Sequence, residues 1–198
     1  MALNLFGRWD MSTVKVEDAG LQKYMNVAPA MLPRTYGRYS HGSSTKMKMS
    51  IVERFINKLM IPGHKGKKHK TTSGRCPGTS GAKLMALEKA FEIIEKKTAK
   101  NPVQILVKAV ENAAPLEEIA AYRMGGSIAR KAVIISPQRR LDLALRHLTQ
   151  GIYSTTFAKK KGLPQAVADE LMLAAAQDKT SFAVNERARL EKEAEGAR

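Results

Sequence analysis

The stretch that most constrains the fold runs from Asn101 to Gly151. It reads as a helix, a two-stranded hairpin and a second helix. Asn101 can cap the first helix, Pro102 suits its first turn, and Gln104 can reach back as in a capping box. Val103, Leu106, Val107 and Val110 recur at helical spacing, and the helix should stop before Pro115. A weakly alternating segment, Glu118 to Tyr122, then leads into Arg123-Met124-Gly125-Gly126-Ser127, where the glycines suit a tight turn. The return strand, Ala129 to Ile135, ends at Ser136-Pro137, which is expected to cap and start the next helix. The apolar stripe of that helix is Leu141, Leu145, Leu148 and Ile152. The hairpin, residues 116–135, offers little apolar surface at its middle, yet carries Arg123, Arg130 and Lys131. It is either an ordinary solvated hairpin or an arm that meets a partner surface.

Charge supplies the class of partner. The 198 residues carry a formal charge of +16 and a pI near 10.1, a field suited to a polyanion such as nucleic acid. The charge is segregated. Residues 61–81 hold five Lys/Arg and no acid, whereas residues 164–198 hold five against seven acids. No apolar run is long enough to span a membrane, and the N-terminus lacks a signal-peptide layout, so a cytoplasmic protein is expected. Cys76 is the only cysteine, which excludes an internal disulfide. His64, His69 and Cys76 lack the paired spacing of a zinc site, so neither metal nor other cofactor is expected. No catalytic constellation stands out. His147 has no evident orienting acid, and Asp142 falls on a different helical face, so enzymatic function is not expected.

Around that unit the chain reads as mainly α: a bundle of about six helices with one protruding β-hairpin and an extended basic N-terminal extension. Residues 1–45 read as the extension rather than core, and 46–198 as a single helical domain. Within the extension, Arg34 and Arg38 alternate with Tyr36 and Tyr39, a composition that can hold phosphates beside stacked bases. The arginines are expected on RNA, together with Lys46 and Lys48. The tyrosines could serve there or pack onto the body. A helix is expected from about Met47 to Met60, with Ile51, Val52, Phe55, Ile56 and Leu59 inside. The loop that follows holds Lys65, Lys67, Lys68, Lys70 and Arg75, has no apolar period, and reads as a sequence-independent clamp on a phosphate backbone. Further helices are expected over Ala82 to Thr98, from Pro164, and from Ser181 to about Gly196. The last is polar over most of its surface and should pack weakly on its own domain.

Several stretches together resemble one family. They are Phe55-Ile56-Asn57-Lys58-Leu59-Met60, Phe91 to Thr98, Asn101 to Val107, Ala109 to Asn112, Gly125-Gly126, and Val133-Ile134-Ile135-Ser136-Pro137-Gln138-Arg139-Arg140 with Leu143-Ala144-Leu145-Arg146. The family is the universal small-subunit ribosomal protein numbered seven in bacteria and five in eukaryotes. The segments Leu5-Phe6-Gly7-Arg8-Trp9 and Gly37-Arg38-Tyr39, and the basic insertion after Met60, resemble its archaeal type. The resemblance implies a structural ribosomal constituent that binds small-subunit ribosomal RNA directly and nucleates head assembly. It implies a place at the subunit interface near the exit-site transfer RNA and the messenger path. The helix bearing Arg139, Arg140 and Arg146 would be the RNA anchor, and the hairpin with Arg123, Met124, Gly125, Gly126, Arg130 and Lys131 would reach toward transfer and messenger RNA. The C-terminal region would touch a platform protein, with no homo-oligomer. The competing reading is a DNA-binding architectural protein.

Overall fold

The computed structural model describes residues 3–39, 41–42, 44–62, 79–157 and 159–197. In chain order the elements are β1 (Asn4–Leu5), β2 (Trp9–Asp10), α1 (Ala19–Gln22), α2 (Ile51–Met60), α3 (Ser80–Thr98), α4 (Pro102–Ala113), β3 (Glu117–Met124), β4 (Ser127–Ile134), α5 (Pro137–Thr156), α6 (Leu163–Ala175) and α7 (Phe182–Glu195). The fold is mainly α with a β-hairpin, as periodicity predicts. The predicted core stripes of α2, α4 and α5 are buried. Helix α6 packs on α3, α4 and α5 through small side chains, Ala166, Ala168 and Ala174, with Val167 and Leu171 between them.

The N-terminal segment differs from its expected role as an extension. Leu5, Trp9, Met11, Leu21 and Met25 lie in the main hydrophobic core. Burying each of these large side chains is worth about 1.5–3 kcal/mol, ample to hold a strap against the bundle. Trp9 stands edge-on to Phe91 at 5.5 Å, and its indole N–H donates to Glu95 Oε2 at 3.2 Å. Farther along, the strap is laced to α4. Gln104 accepts from the Lys15 N–H and donates to its carbonyl, and Glu111 Oε1 accepts the Glu17 and Asp18 N–H groups. These partners come from residues distant in sequence, which is why local patterning reads the segment as free.

Helix ends show similar reassignments. The Asn101 side chain caps α4, accepting from the Val103 N–H at 3.0 Å, and also donates to the Asp10 carbonyl. Gln104, engaged with Lys15, does not complete the expected capping box. Ser136 holds the N-cap position of α5 without a side-chain hydrogen bond to it. Helix α2 starts at Ile51 rather than near Met47, because residues 44–48 form a 3-10 turn and the Ile51 N–H bonds the Asn26 carbonyl.

The hairpin strands run farther toward the tip than alternation suggests. Their last pair is Met124 with Ser127, leaving Gly125 and Gly126 as the turn, with Gly125 at φ +60°. Helix α7 packs against α5 and β3 more firmly than its polar surface predicts. Arg187 Nη1 donates to the Asn112 carbonyl at 3.0 Å, and Glu191 Oε1 accepts from the Leu116 N–H at 3.1 Å. Its charges thus brace the root of the hairpin.

Candidate nucleic-acid interface

Helices α2 and α5 bring cations together on one face. Arg54 is buried and its Nη2 lies 3.2 Å from Asp142 Oδ1, while Lys46 Nζ lies 3.8 Å from Asp142 Oδ2. Lys58, one turn beyond Arg54, is drawn into the same cluster, and Arg146, one turn beyond Asp142, stands exposed beside it. Burial is the main force pushing the Lys58 ammonium below its ordinary pKa. Asp142 opposes that shift, and Arg146, Lys46 and Arg54 add to it by like-charge repulsion. These four cations surround a single carboxylate, so the cluster carries an excess of +3. Lys46, Arg54 and Lys58 line a notch of about 400 Å³ together with Met49, Asn57, Asp142 and Leu145. Such an arrangement can receive a phosphate with charge-assisted hydrogen bonds.

Sequence patterning singles out Lys46 and Arg146 here but misses Arg54 and Lys58, which fall on the apolar helix α2. The signal was their spacing of four residues, matched by Asp142 and Arg146 on α5, and it becomes legible only once the two helices are set side by side.

The other predicted residues are distributed as follows. Lys48 is exposed next to Lys46. Arg34 and Arg38 are exposed on the loop before α2, and Arg34 also donates to Ser80 Oγ at 2.5 Å. Lys65, Lys67, Lys68, Lys70 and Arg75 lie outside the described residues. Arg139 is exposed at the start of α5, where its Nε and Nη2 form a forked pair with Glu118 at 2.6 and 2.7 Å.

Arg140 faces inward. Its Nε donates to the Pro115 carbonyl at 3.2 Å and its Nη2 to Asp18 Oδ2 at 2.8 Å. The neighbouring arginines, expected to work together on RNA, therefore point to opposite environments, because successive positions on a helix are about 100° apart.

On the hairpin, Arg123, Arg130 and Lys131 are exposed. Arg123 pairs across the strands with Ile128, and Arg130 with Ala121, which sets both arginines on one face. Lys131, opposite Ala120, lies on the other. Gly125 and Gly126 form the turn that separates the strands, following Met124 at the end of β3. Among the described residues no His, Cys, Asp or Glu cluster could hold a metal ion, and no helix is long and apolar enough to cross a membrane.

A family model described as Ribosomal protein S7p/S5e matches residues 21–198. The small ribosomal subunit protein uS7 of Nanoarchaeum equitans is 42% identical over 198 residues, covering 100% of both chains. That of Methanosphaera stadtmanae is 43% identical over 198 residues, again covering 100% of both. That of Archaeoglobus fulgidus is 39% identical over 199 residues, covering 99% of this chain and 95% of the relative. A mainly helical bundle with a projecting hairpin, full-length similarity to archaeal proteins and a family match over most of its length lead to one conclusion: the chain belongs to the Ribosomal protein S7p/S5e family and is of its archaeal type.

Proposed function

We propose that this chain binds small-subunit ribosomal RNA directly through the α2–α5 face and its flanking loops, and that this contact nucleates folding of the head. Family membership makes it a structural protein of the small ribosomal subunit and not an enzyme. The observation that carries the finer reading is the cluster of Lys46, Arg54, Lys58 and Arg146 around Asp142. A half-buried ammonium among three other cations is disfavoured until an anion arrives, and a phosphate backbone supplies anions at regular spacing. Arg34, Arg38, Lys48 and Arg139 extend the contact, as do Lys65, Lys67, Lys68, Lys70 and Arg75. Arg140 acts by positioning α5 rather than by touching RNA.

The exposed hairpin reaches beyond this anchor, with Arg123 and Arg130 on one face and Lys131 on the other. Its tip and α7 lie on the subunit-interface side near the exit-site transfer RNA and the messenger path, with the C-terminal region against a platform protein. Binding to a three-way-junction transcript of the head ribosomal RNA tests the anchor. Affinity should fall steeply with salt, and Arg146→Ala should reduce the slope of log K against log salt by about 1. Salt-independent affinity, or equal affinity for a random RNA duplex, would sink the proposal. Preference for duplex DNA over the junction would favour the architectural alternative.

A further inference from the structure

Among the described residues four non-glycine positions adopt left-handed backbone: Phe6, Tyr36, Ala99 and Gln177. Ala99 ends α3, Gln177 follows the end of α6, and Phe6 turns β1 into β2 with its ring packed on the core. Tyr36 has the same turn geometry as Phe6, a positive-φ pair with the following glycine closed by an N–H onto the carbonyl three residues back, but its ring does not pack on the core. It sits at φ +51° ahead of Gly37 at φ +79°, and it is 84% exposed.

The surroundings that hold it are visible. Pro33 is buried. Thr35 donates through both its N–H and its hydroxyl to the buried Glu53 Oε1, at 2.8 and 2.7 Å. The Arg38 N–H closes the turn onto the Thr35 carbonyl at 3.1 Å. The loop is thus clamped to α2 on one side of Tyr36 and closed on the other, and the ring is pushed outward. The Arg34 guanidinium lies 5.0 Å from the ring centroid and covers one face, leaving the rest of this large aromatic ring to solvent.

We infer that Tyr36 is a stacking platform for an unpaired base of the bound RNA, with Arg34 fixing the ring from beneath. This rests on the proposed RNA contact and names a further residue for it. The chemistry around the ring favours a polyanion: residues 31–42 contain Arg34 and Arg38 and no acid. Position favours it too. Tyr36 borders a hollow of about 270 Å³ whose walls include Met49 and Asn57, and these two residues also line the cation notch of α2 and α5. A strand whose phosphate occupies the notch has the ring within its path. Stacking is indifferent to base identity, so the platform selects for unpaired nucleotides rather than for a sequence.

The test uses the full chain and the three-way-junction transcript, with a fully paired RNA duplex as control. Tyr36→Leu should weaken junction binding by about 5- to 100-fold, the range found when one base–aromatic stack is removed, and Tyr36→Phe should stay within about 3-fold of the parent. Neither change should alter the salt slope, because no charge is removed. The inference is overturned if Tyr36→Leu binds the junction as tightly as the parent. It is also overturned if Tyr36→Phe loses as much, which would assign the effect to the hydroxyl, or if the duplex control loses as much as the junction. A parent chain without salt-dependent junction binding would instead defeat the RNA contact itself, and the salt slope separates the two failures.

Discussion

Arg140→Met isolates the inward-facing arginine. The substitution keeps most of the side-chain volume and removes the guanidinium. Asp18 Oδ2 then loses a 2.8 Å charge-assisted bond and the Pro115 carbonyl loses its donor. Removing one partner of a fully buried ion pair costs about 3–5 kcal/mol. Here the Arg140 side chain is 10% exposed but Asp18 is 30% exposed, so water can reach the orphaned carboxylate. A discounted figure of about 2–4 kcal/mol follows, since the buried Pro115 carbonyl still goes unpaired. For a chain of this size that corresponds to a fall in Tm on the order of 10 °C. Thermal melting by circular dichroism reads the shift, and junction-RNA binding below the transition reads the salt slope. The expected result is a lower Tm with an unchanged slope. An unchanged Tm with a slope reduced by about 1 would place Arg140 on a phosphate and refute the inward assignment.

Three further outcomes are expected. In Gly151→Ala the new Cβ would lie 2.8 Å from Phe182 Cβ and 3.0 Å from Glu170 Oε1. Overpacking of about 1–3 kcal/mol should outweigh the gain of up to about 1 kcal/mol in helix propensity, so Tm should fall, and a rise would show that α7 can shift at little cost. Asn101→Ala removes both the α4 cap and the bond to the Asp10 carbonyl, and should cost about 1–2 kcal/mol in urea unfolding; no change in midpoint would show the cap to be dispensable.

The third concerns acid. Burial raises the Asp169 pKa, but hydrogen bonds from Lys161, Gln165 and Lys97 outweigh it and hold the carboxyl at about 2, against an ordinary 3.8. A depressed carboxylate stabilises the fold above its unfolded pKa, and that stabilisation disappears as pH falls toward about 2. With lysine ends about half and one-third exposed, solvent screening limits the effect to about 1 kcal/mol. Asp169→Asn should therefore be less stable than the parent at pH 6 and converge with it near pH 2. A gap that persists at pH 2 would mean that charge is not the cause.

What could be read from the sequence tracks how local each determinant is. The stripes of α2, α4 and α5 are legible because Leu141, Leu145, Leu148 and Ile152 repeat within one element and face one core. The glycine pair marks the hairpin turn for the same reason. The N-terminal strap is not legible, since Trp9 finds Phe91 and Glu95 only across the fold. Polar helix α7 misleads likewise, because Arg187 and Glu191 are used against Asn112 and Leu116 rather than left to water. At the interface, composition identifies the class of partner and several outward cations. It does not tell Arg139 from Arg140, nor find Lys58, because those distinctions depend on helix rotation and on which neighbour lies opposite.

The Asp18 carboxylate carries a consequence of its own. It caps α1 through the Gly20 N–H and holds Arg140, which in turn holds the Pro115 carbonyl at the root of the hairpin. The partners Asp18 and Arg140 are 122 positions apart. During synthesis Phe91, Glu95, Gln104 and Glu111 emerge before α5, so the strap can find these partners first, and the Asp18 clasp closes only once Arg140 has followed. A chain interrupted before Arg140 would keep Trp9 against Phe91 and Glu95 but leave Asp18 without its clasp. The Asp18–Arg140 clasp is thus the late contact of the strap, and it ties the strap to the root of the hairpin through the Pro115 carbonyl.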